Sequence, residues 1–375
     1  MIYTYFTILI VSILALISIC ISYGVNSFFL KNALSFGKNK GRGQVRWASV
    51  AKPPVGGISF YTVFISLMIS VGVLAYFDLV RWDSNYLLLG LLLPVTIGFV
   101  VGLVDDNYNT SPFVKFTGQF LCGLVFIFSG NLIHICDIDW VNYWFTMLWV
   151  VGMMNSINML DNMDGVVTSV SLISLLVALM ISMTLERLNL SDIILIVGTI
   201  GALIGFLFFN WNPAKIYMGD TGSQFLGAFL AWVSIHYFWI FRDETTGGFQ
   251  AHQFLVPALA FTVSLIDTTT VIIRRVVRGV SPFVGGRDHT THHFAYLGFS
   301  DKNVVRIFIG VSLLSALVIW IILNDLTDNH WNFYKTLAVM FYYIATFVTI
   351  QHYYEVAKRK IQQEFTNKQK TLSRL

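Results

Sequence analysis

The sequence predicts an all-α, polytopic integral membrane protein with about eleven transmembrane helices. Three observations carry that prediction. Charged residues make up 12% of the 375 residues and apolar residues 56%, against about 25% charged in ordinary soluble domains. The mean hydropathy is +0.69. Apolar runs long enough to cross a bilayer recur along the whole chain, separated by short polar loops. A soluble domain of this length has too little interior to hide so much apolar surface.

A hydrocarbon core of roughly 30 Å needs about 20 apolar residues per helix. Eleven segments qualify, near 3–23, 55–77, 85–104, 113–133, 140–158, 166–185, 192–210, 222–241, 253–273, 303–323 and 332–353. The first lacks the basic start of a signal peptide and is too long for its apolar region, so it reads as a first span. The fourth, fifth and ninth contain polar residues that blur their ends. Lys and Arg set the orientation. Twenty of the 24 lie on one side: in 24–54, at Lys115 and Lys215, from Arg274 to Arg306, and in the C-terminal tail. Arg81, Arg187, Arg242 and Lys335 lie on the other. This places the N-terminus outside and the C-terminus in the cytoplasm. The spans form a single domain over 1–357, followed by a polar tail, 358–375, that reads as a solvated amphipathic helix on the membrane surface. There is no internal repeat, low-complexity block or soluble domain. Cys20, Cys122 and Cys136 show no metal or disulfide spacing.

With this topology, the unusual polar residues fall on four cytoplasmic loops. The first, "VVGLVDDNYNTSPFVK", brings an apolar run to Asp105 and Asp106. A single Asp there reads as a solvated turn before a Ser111-Pro112 helix start. Two adjacent carboxylates repel and favour a shared cation or proton. Lys115, one turn into the next helix, is near enough to hold a phosphate beside them. The second, "NSINMLDNMDG", spaces Asn155, Asn158, Asp161 and Asp164 three apart, one oxygen-bearing stripe if the helix persists. Asparagines alone are common glue between membrane helices; two added aspartates without a nearby base suit a hard cation.

The third loop, "NPAKIYMGDTGSQFLG", sets Asp220 between glycines at a helix start. It reads either as a helix N-cap or as a site where backbone and ligand approach closely. The fourth, "RRVVRGVSPFVGGRDHTTHHFAYLG", gathers Arg287, His289, His292 and His293. Three histidines first suggest zinc, but their tight spacing beside an arginine favours a phosphate-binding cluster of donors over a metal or a solvated basic loop. Asp267 lies inside the ninth span, where a carboxylate is a functional candidate by default. A structural bond to a neighbouring helix, Arg274 or Arg275 is the alternative.

"GLVDDNYNTSPFVKFTGQ", "NSINMLDNMDG", "YMGDTGSQFLG" and "SPFVGGRDHTTHH" follow one another in order, after a "KPPVGGISF" entry to the second span. Together, over roughly residues 45–300, they resemble the polyprenyl-phosphate N-acetylhexosamine-1-phosphate transferases. No motif is decisive alone; four in order are specific. The eleven-span plan and "GRDHTTHH" look more like the members that initiate O-antigen, enterobacterial common antigen or teichoic acid linkage units. They look less like the ten-span phospho-N-acetylmuramoyl-pentapeptide transferase. Two departures, "DNMDG" for Asp-Gly-x-Asp-Gly and a longer histidine run, bear on the sugar more than on the reaction.

The resemblance implies transfer of N-acetylhexosamine-1-phosphate, most often N-acetylglucosamine-1-phosphate, from a UDP-sugar to undecaprenyl phosphate, releasing UMP. It implies Mg²⁺, or Mn²⁺ in its place, with Asn158 and Asp220 as ligands. Asp105 and Asp106 would position or deprotonate the lipid phosphate, with Lys115 holding it. Asp161 joins them as a catalytic carboxylate, and Asn155 as a substrate contact. Asp161 and Asp164 would lie toward the nucleotide, Asp164 near the uracil. Arg287, His289, His292 and His293 would bind the diphosphate and discriminate the sugar. The expected partners are the two substrates and the bilayer of the inner (plasma) membrane, with no nucleic acid; a homodimer is open. A transporter is the rival class, but transporters bury coupling charges near the bilayer midplane, whereas these acids gather at span ends. A purely structural scaffold gives no reason for four polar loops to converge.

Overall fold

The computed structural model describes residues 2–32, 52–80, 85–187, 189–242, 252–281, 286, 288–327 and 331–372. Among these the chain is helical, without strands. The α-helices are α1 (Ile2–Lys31), α2 (Gly56–Tyr76), α3 (Leu93–Tyr108), α4 (Pro112–Phe128), α5 (Asp139–Leu160), α6 (Val166–Thr184), α7 (Leu190–Asn210), α8 (Gly219–Tyr237), α9 (His252–Ala260), α10 (Thr262–Val277), α11 (Thr290–Tyr296), α12 (Asp301–Thr327) and α13 (Phe333–Leu372). A π-helical stretch, Asn85–Leu92, leads into α3.

Every predicted span falls on one of these helices, or on a bent pair. Among the described residues, seven helices are long and apolar enough to cross a membrane, and the bent pair α9–α10, counted as one span, makes eight. The other three predicted spans are α4, which is only 17 residues long, and α5 and α8, which carry the polar residues discussed below. The ninth segment is not one straight span. Its two halves meet at 87°, with Pro257 inside α9, where the missing N–H weakens the helical ladder. α13 runs unbroken from the last predicted span through 357 into the polar tail.

α8 is the hub. It packs against α3, α5, α2 and α6, and nearly all its side chains are buried. A helix apolar on every side belongs inside a bundle. Phe225 and Phe229 on α8 stack in parallel and meet Phe60 and Phe64 of α2. Small residues bring α3 and α8 close at the ends that carry the aspartate motifs. A Cβ on Gly102 would lie 2.2 Å from the Asp220 carbonyl oxygen and 2.5 Å from Thr221 Cα. Gly102→Ala therefore forces the first turn of α8 away from α3. Overpacking of this kind costs about 1–3 kcal/mol. The expected result is a fall of several degrees in the detergent-solubilised melting temperature, with activity lost in parallel because Asp220 moves.

Candidate active site

The site is assembled where α3 ends, α4 begins, α5 ends and α8 begins. Asp105 and Asp106 occupy the last turn of α3, which stops at Asn109 in a left-handed conformation. Both aspartates are buried, and they bond to different residues. Asp105 Oδ1 accepts from the Thr110 backbone N–H at 2.9 Å and from its hydroxyl at 2.6 Å, and its Oδ2 is 2.7 Å from Lys115 Nζ. Asp106 Oδ2 instead accepts from the backbone N–H of Thr221 at 2.8 Å and its hydroxyl at 2.7 Å. Successive helix residues diverge by about 100°, so adjacent carboxylates turn to different neighbours. The hydrogen bonds of the two carboxylates thus reach different elements, α4 and its lead-in loop for Asp105 and the start of α8 for Asp106.

Asp220 is in the first turn of α8, one residue inside the helix, and Met218 takes the N-cap position. The N-cap reading of Asp220 is thus corrected. Gly219, with φ +74°, makes the turn and leaves room for Asp106 Oδ2, which would lie 2.6 Å from a Cβ there. Asp220 Oδ2 is 3.3 Å from Lys115 Nζ. Asp220 Oδ1 accepts from the Asn158 amide at 2.6 Å, and the same amide donates to Ser223 at 2.8 Å. Lys115 thus sits between carboxylates from two motifs, and Asp220 links it to a third.

The oxygen-bearing stripe on α5 ends earlier than predicted. The helix stops at Leu160, and Asp161 caps it with ψ 53°. Asp161 and Asp164 lie in the following loop, off the helix face. Asn155 is held by a reciprocal pair of bonds with Gln119, 2.7 and 3.2 Å, and Gln119 also donates to Gln224 at 3.1 Å. That buried amide network joins α4, α5 and α8. It is the interhelical glue weighed against a binding role for Asn155. Asp164 accepts from the Ala214 N–H at 2.8 Å and the Asn212 amide at 3.3 Å and pairs with Lys52 at 3.5 Å. It fastens the loop before α8, while Lys52 lies over the Tyr217 ring.

Asp161 has no side-chain hydrogen bond or ion pair among the described residues. Burial, with the nearby carboxylates of Asp220, Asp106 and Asp164, pushes it up to about 8 from 3.8. Without added divalent cation it is therefore protonated in the folded protein at neutral pH. Between pH about 4 and 8 the unfolded chain has released that proton and the folded protein has not. Stability therefore falls as pH rises through this window and levels above it. The expected result is a melting temperature that drops across that window without divalent cation, with a flatter profile in Asp161→Asn.

The donor set fits a hard divalent cation. Asn158 Oδ1 accepts no hydrogen bond among the described residues, while the amide nitrogen of the same side chain is bonded to the Asp220 carboxylate. Among the described residues no group of three His, Cys, Asp or Glu is arranged to hold a metal. Mg²⁺ is usually bound by one or two carboxylates together with water and substrate phosphates, and Asp220 with Asn158 Oδ1 is a donor set of that kind.

The histidine loop reaches the site through Thr291, whose hydroxyl donates to Asn162. Asp267 pairs with His289 Nδ1 at 2.9 Å and accepts from the Thr290 N–H at 2.7 Å. The expected partners Arg274 and Arg275 are engaged elsewhere. Arg275 forms a bidentate pair with Asp288, 3.0 and 2.7 Å; burial alone would raise Asp288, but the arginine holds it at about 2. His292 and His293 are buried. Burial, Arg274 and His292 hold His293 down to about 4, so it is neutral at pH 7. Arg287 lies outside the described residues.

Residues 88–238 match the model of glycosyl transferase family 4. The resemblance read from the motifs therefore stands on an independent comparison. The chain is 29% identical over 248 residues to the probable undecaprenyl-phosphate N-acetylglucosaminyl 1-phosphate transferase of Bacillus subtilis (strain 168), covering 60% of this chain and 67% of that one. It is also 29% identical over 295 residues to the phospho-N-acetylmuramoyl-pentapeptide-transferase of Staphylococcus aureus (strain MSSA476), covering 72% and 84%. A Staphylococcus saprophyticus relative with the latter name matches equally. These relatives are phosphoglycosyl transferases, and this membrane protein is similar to them, with residues 88–238 carrying the match to the family 4 model. The matched segment contains Asp105, Asp106, Lys115, Asn158, Asp161, Asp164 and Asp220; the histidine helix lies beyond it.

Sequence reasoning passed over Lys52, Gln119 and Thr221. A buried amide within an apolar helix was the available signal for Gln119. Lys52 stood in the quoted "KPPVGGISF", but nothing in its spacing distinguishes it from a membrane-surface lysine.

Proposed function

We propose that this protein transfers N-acetylhexosamine-1-phosphate, N-acetylglucosamine-1-phosphate in the first instance, from its UDP-sugar to undecaprenyl phosphate. The products are undecaprenyl-diphosphate-sugar and UMP, in the first membrane step of a cell-surface polysaccharide such as O-antigen. We place the reaction on the cytoplasmic face of an eleven-span protein in the plasma membrane, its N-terminus outside and C-terminus inside. The observation that carries this reading is the chain Asp105–Lys115–Asp220–Asn158, each neighbour within 3.3 Å of the next. It unites three loops that are distant in sequence.

A lipid phosphate oxygen attacks the β-phosphorus of the UDP-sugar. The new P–O bond forms as the bond to the α-phosphate oxygen breaks, and UMP carries away the electron pair. Phosphoryl transfer of this kind depends on positioning and charge neutralisation. Lys115 holds the incoming phosphate against Asp105 and Asp220. A phosphate monoester has its second pKa near 6, so at neutral pH the nucleophile is already largely ionised. Asp105 is held by Thr110 and Lys115, and Asp106 by Thr221, so both orient groups rather than form an aspartyl-phosphate. Asn158 and Asp220 would hold Mg²⁺, or Mn²⁺, which supplies charge neutralisation for the diphosphate. Asp161 and Asp164 face the nucleotide, and Arg287 with the histidines holds the diphosphate and selects the sugar.

The larger aligned share of the pentapeptide-transferase relatives favours a second reading, in which the donor is UDP-N-acetylmuramoyl-pentapeptide. One experiment separates the two. Purified protein in lipid nanodiscs is incubated with Mg²⁺, undecaprenyl phosphate and a panel of UDP-sugars. UMP release is measured and the lipid product identified by mass. Turnover of UDP-N-acetylglucosamine or another simple N-acetylhexosamine supports the first reading. Turnover of the pentapeptide donor alone replaces it with the second, and no UMP from any donor refutes both.

A further inference from the structure

The C-terminal helix reaches the histidine loop, and the proposed reaction has assigned it no task. Its inward face recurs at helical spacing: Ile350, Tyr354 and Ala357 are all buried. This face lies against α10 and α11. Gln351 accepts from the Arg274 guanidinium and donates to the Thr270 hydroxyl, tying α13 to α10. One turn on, the Tyr354 ring receives the Arg274 guanidinium on its face. The same ring meets His293 edge-on, with centroids 4.1 Å apart at 84°. Tyr353 packs on Phe294 at 5.4 Å, and Lys360 Nζ donates to the Leu297 carbonyl at 3.4 Å. α11 is seven residues long, too short to hold its own orientation.

We propose that Tyr354 is a positioning residue for nucleotide-sugar binding, fixing the histidine helix by stacking between Arg274 and His293. The inference rests on the transferase reading and adds to it a group outside the four motifs. The His293 imidazole lies edge-on against the Tyr354 ring, so ring packing contributes to holding this side chain. A cation–π contact and an edge-on aromatic contact are each directional. Without them Arg274 and His293 gain alternative rotamers, and the loop must be ordered again whenever substrate binds. The Tyr354 hydroxyl makes no hydrogen bond among the described residues, so the ring alone carries this role.

The test compares Tyr354→Leu and Tyr354→Phe in nanodiscs by steady-state UMP release, varying the two substrates separately. Tyr354→Leu is expected to raise the KM for the UDP-sugar about tenfold, with kcat and the KM for undecaprenyl phosphate within about twofold of wild type. Tyr354→Phe is expected to restore wild-type values. If Tyr354→Leu is not recovered from membranes, Gln351→Leu is measured instead; it cuts the tether to Arg274 and should move the same constant in the same direction. An unchanged KM for the UDP-sugar in the recovered variant overturns the proposal, as does an equal loss for both substrates or a failure of Tyr354→Phe to restore binding. Wild-type protein that releases no UMP overturns the transferase reading, and this inference with it.

Discussion

Replacing Asp220 with alanine is expected to abolish transfer, by a factor of at least about 10³, while the protein still inserts and folds. The reason lies in what this carboxylate joins. Its two oxygens engage Lys115 from α4 and Asn158 from α5, while its backbone belongs to the first turn of α8. Losing it removes the only carboxylate touching both side chains among the described residues. The site would then lose an anionic ligand for a divalent cation and leave the Asn158 amide without its nearer acceptor. Removing one preorganised charge from a phosphoryl-transfer site commonly costs two to three orders of magnitude or more. Folding should survive because the Asp220 side chain is only partly buried and the turn is fixed independently, by Asp106 bonding to Thr221. UMP release with saturating substrates measures the effect. Near-normal turnover in well-folded Asp220→Ala would remove the residue from the chemistry.

Lys115→Met should cost about 10²- to 10³-fold in turnover and act mainly on the lipid substrate. The methionine keeps the apolar stem of lysine but not its charge. Asp105 and Asp220 would then face each other with no cation between them, and an incoming phosphate would meet uncompensated negative charge. The KM for undecaprenyl phosphate should rise more than that for the UDP-sugar. Lys115→Arg should recover only part of the activity, because a planar guanidinium cannot copy the point contact that an ammonium makes with two separate carboxylates. An effect confined to UDP-sugar affinity would put Lys115 on the wrong substrate.

Much of this arrangement was readable from the chain, for identifiable reasons. Apolar length gives helix positions directly, and each predicted span coincides with a helix or bent pair. The grouping of Asp105, Lys115, Asn158 and Asp220 was also readable, because charged groups at the ends of apolar runs are costly unless they meet partners. What spacing did not show was direction. The three-residue rhythm from Asn155 to Asp164 suggested one continuous stripe, but Leu160 ends the helix and half the stripe passes into a loop. Asp105 and Asp106 looked like a pair because they are neighbours in the chain, yet the helix turns them apart. The docking of α13 on the histidine helix depends on contacts more than 50 residues apart in sequence. No local pattern encodes such contacts.

The divergence of Asp105 and Asp106 has a consequence for the reading frame of α3. Deleting one residue between Gly102 and Asp105 would rotate everything downstream by about 100°. The carboxylate now serving Lys115 and the one now fastening Thr221 would both lose their addresses together. This short segment therefore tolerates exchanges of side chain far better than any change in its number of residues.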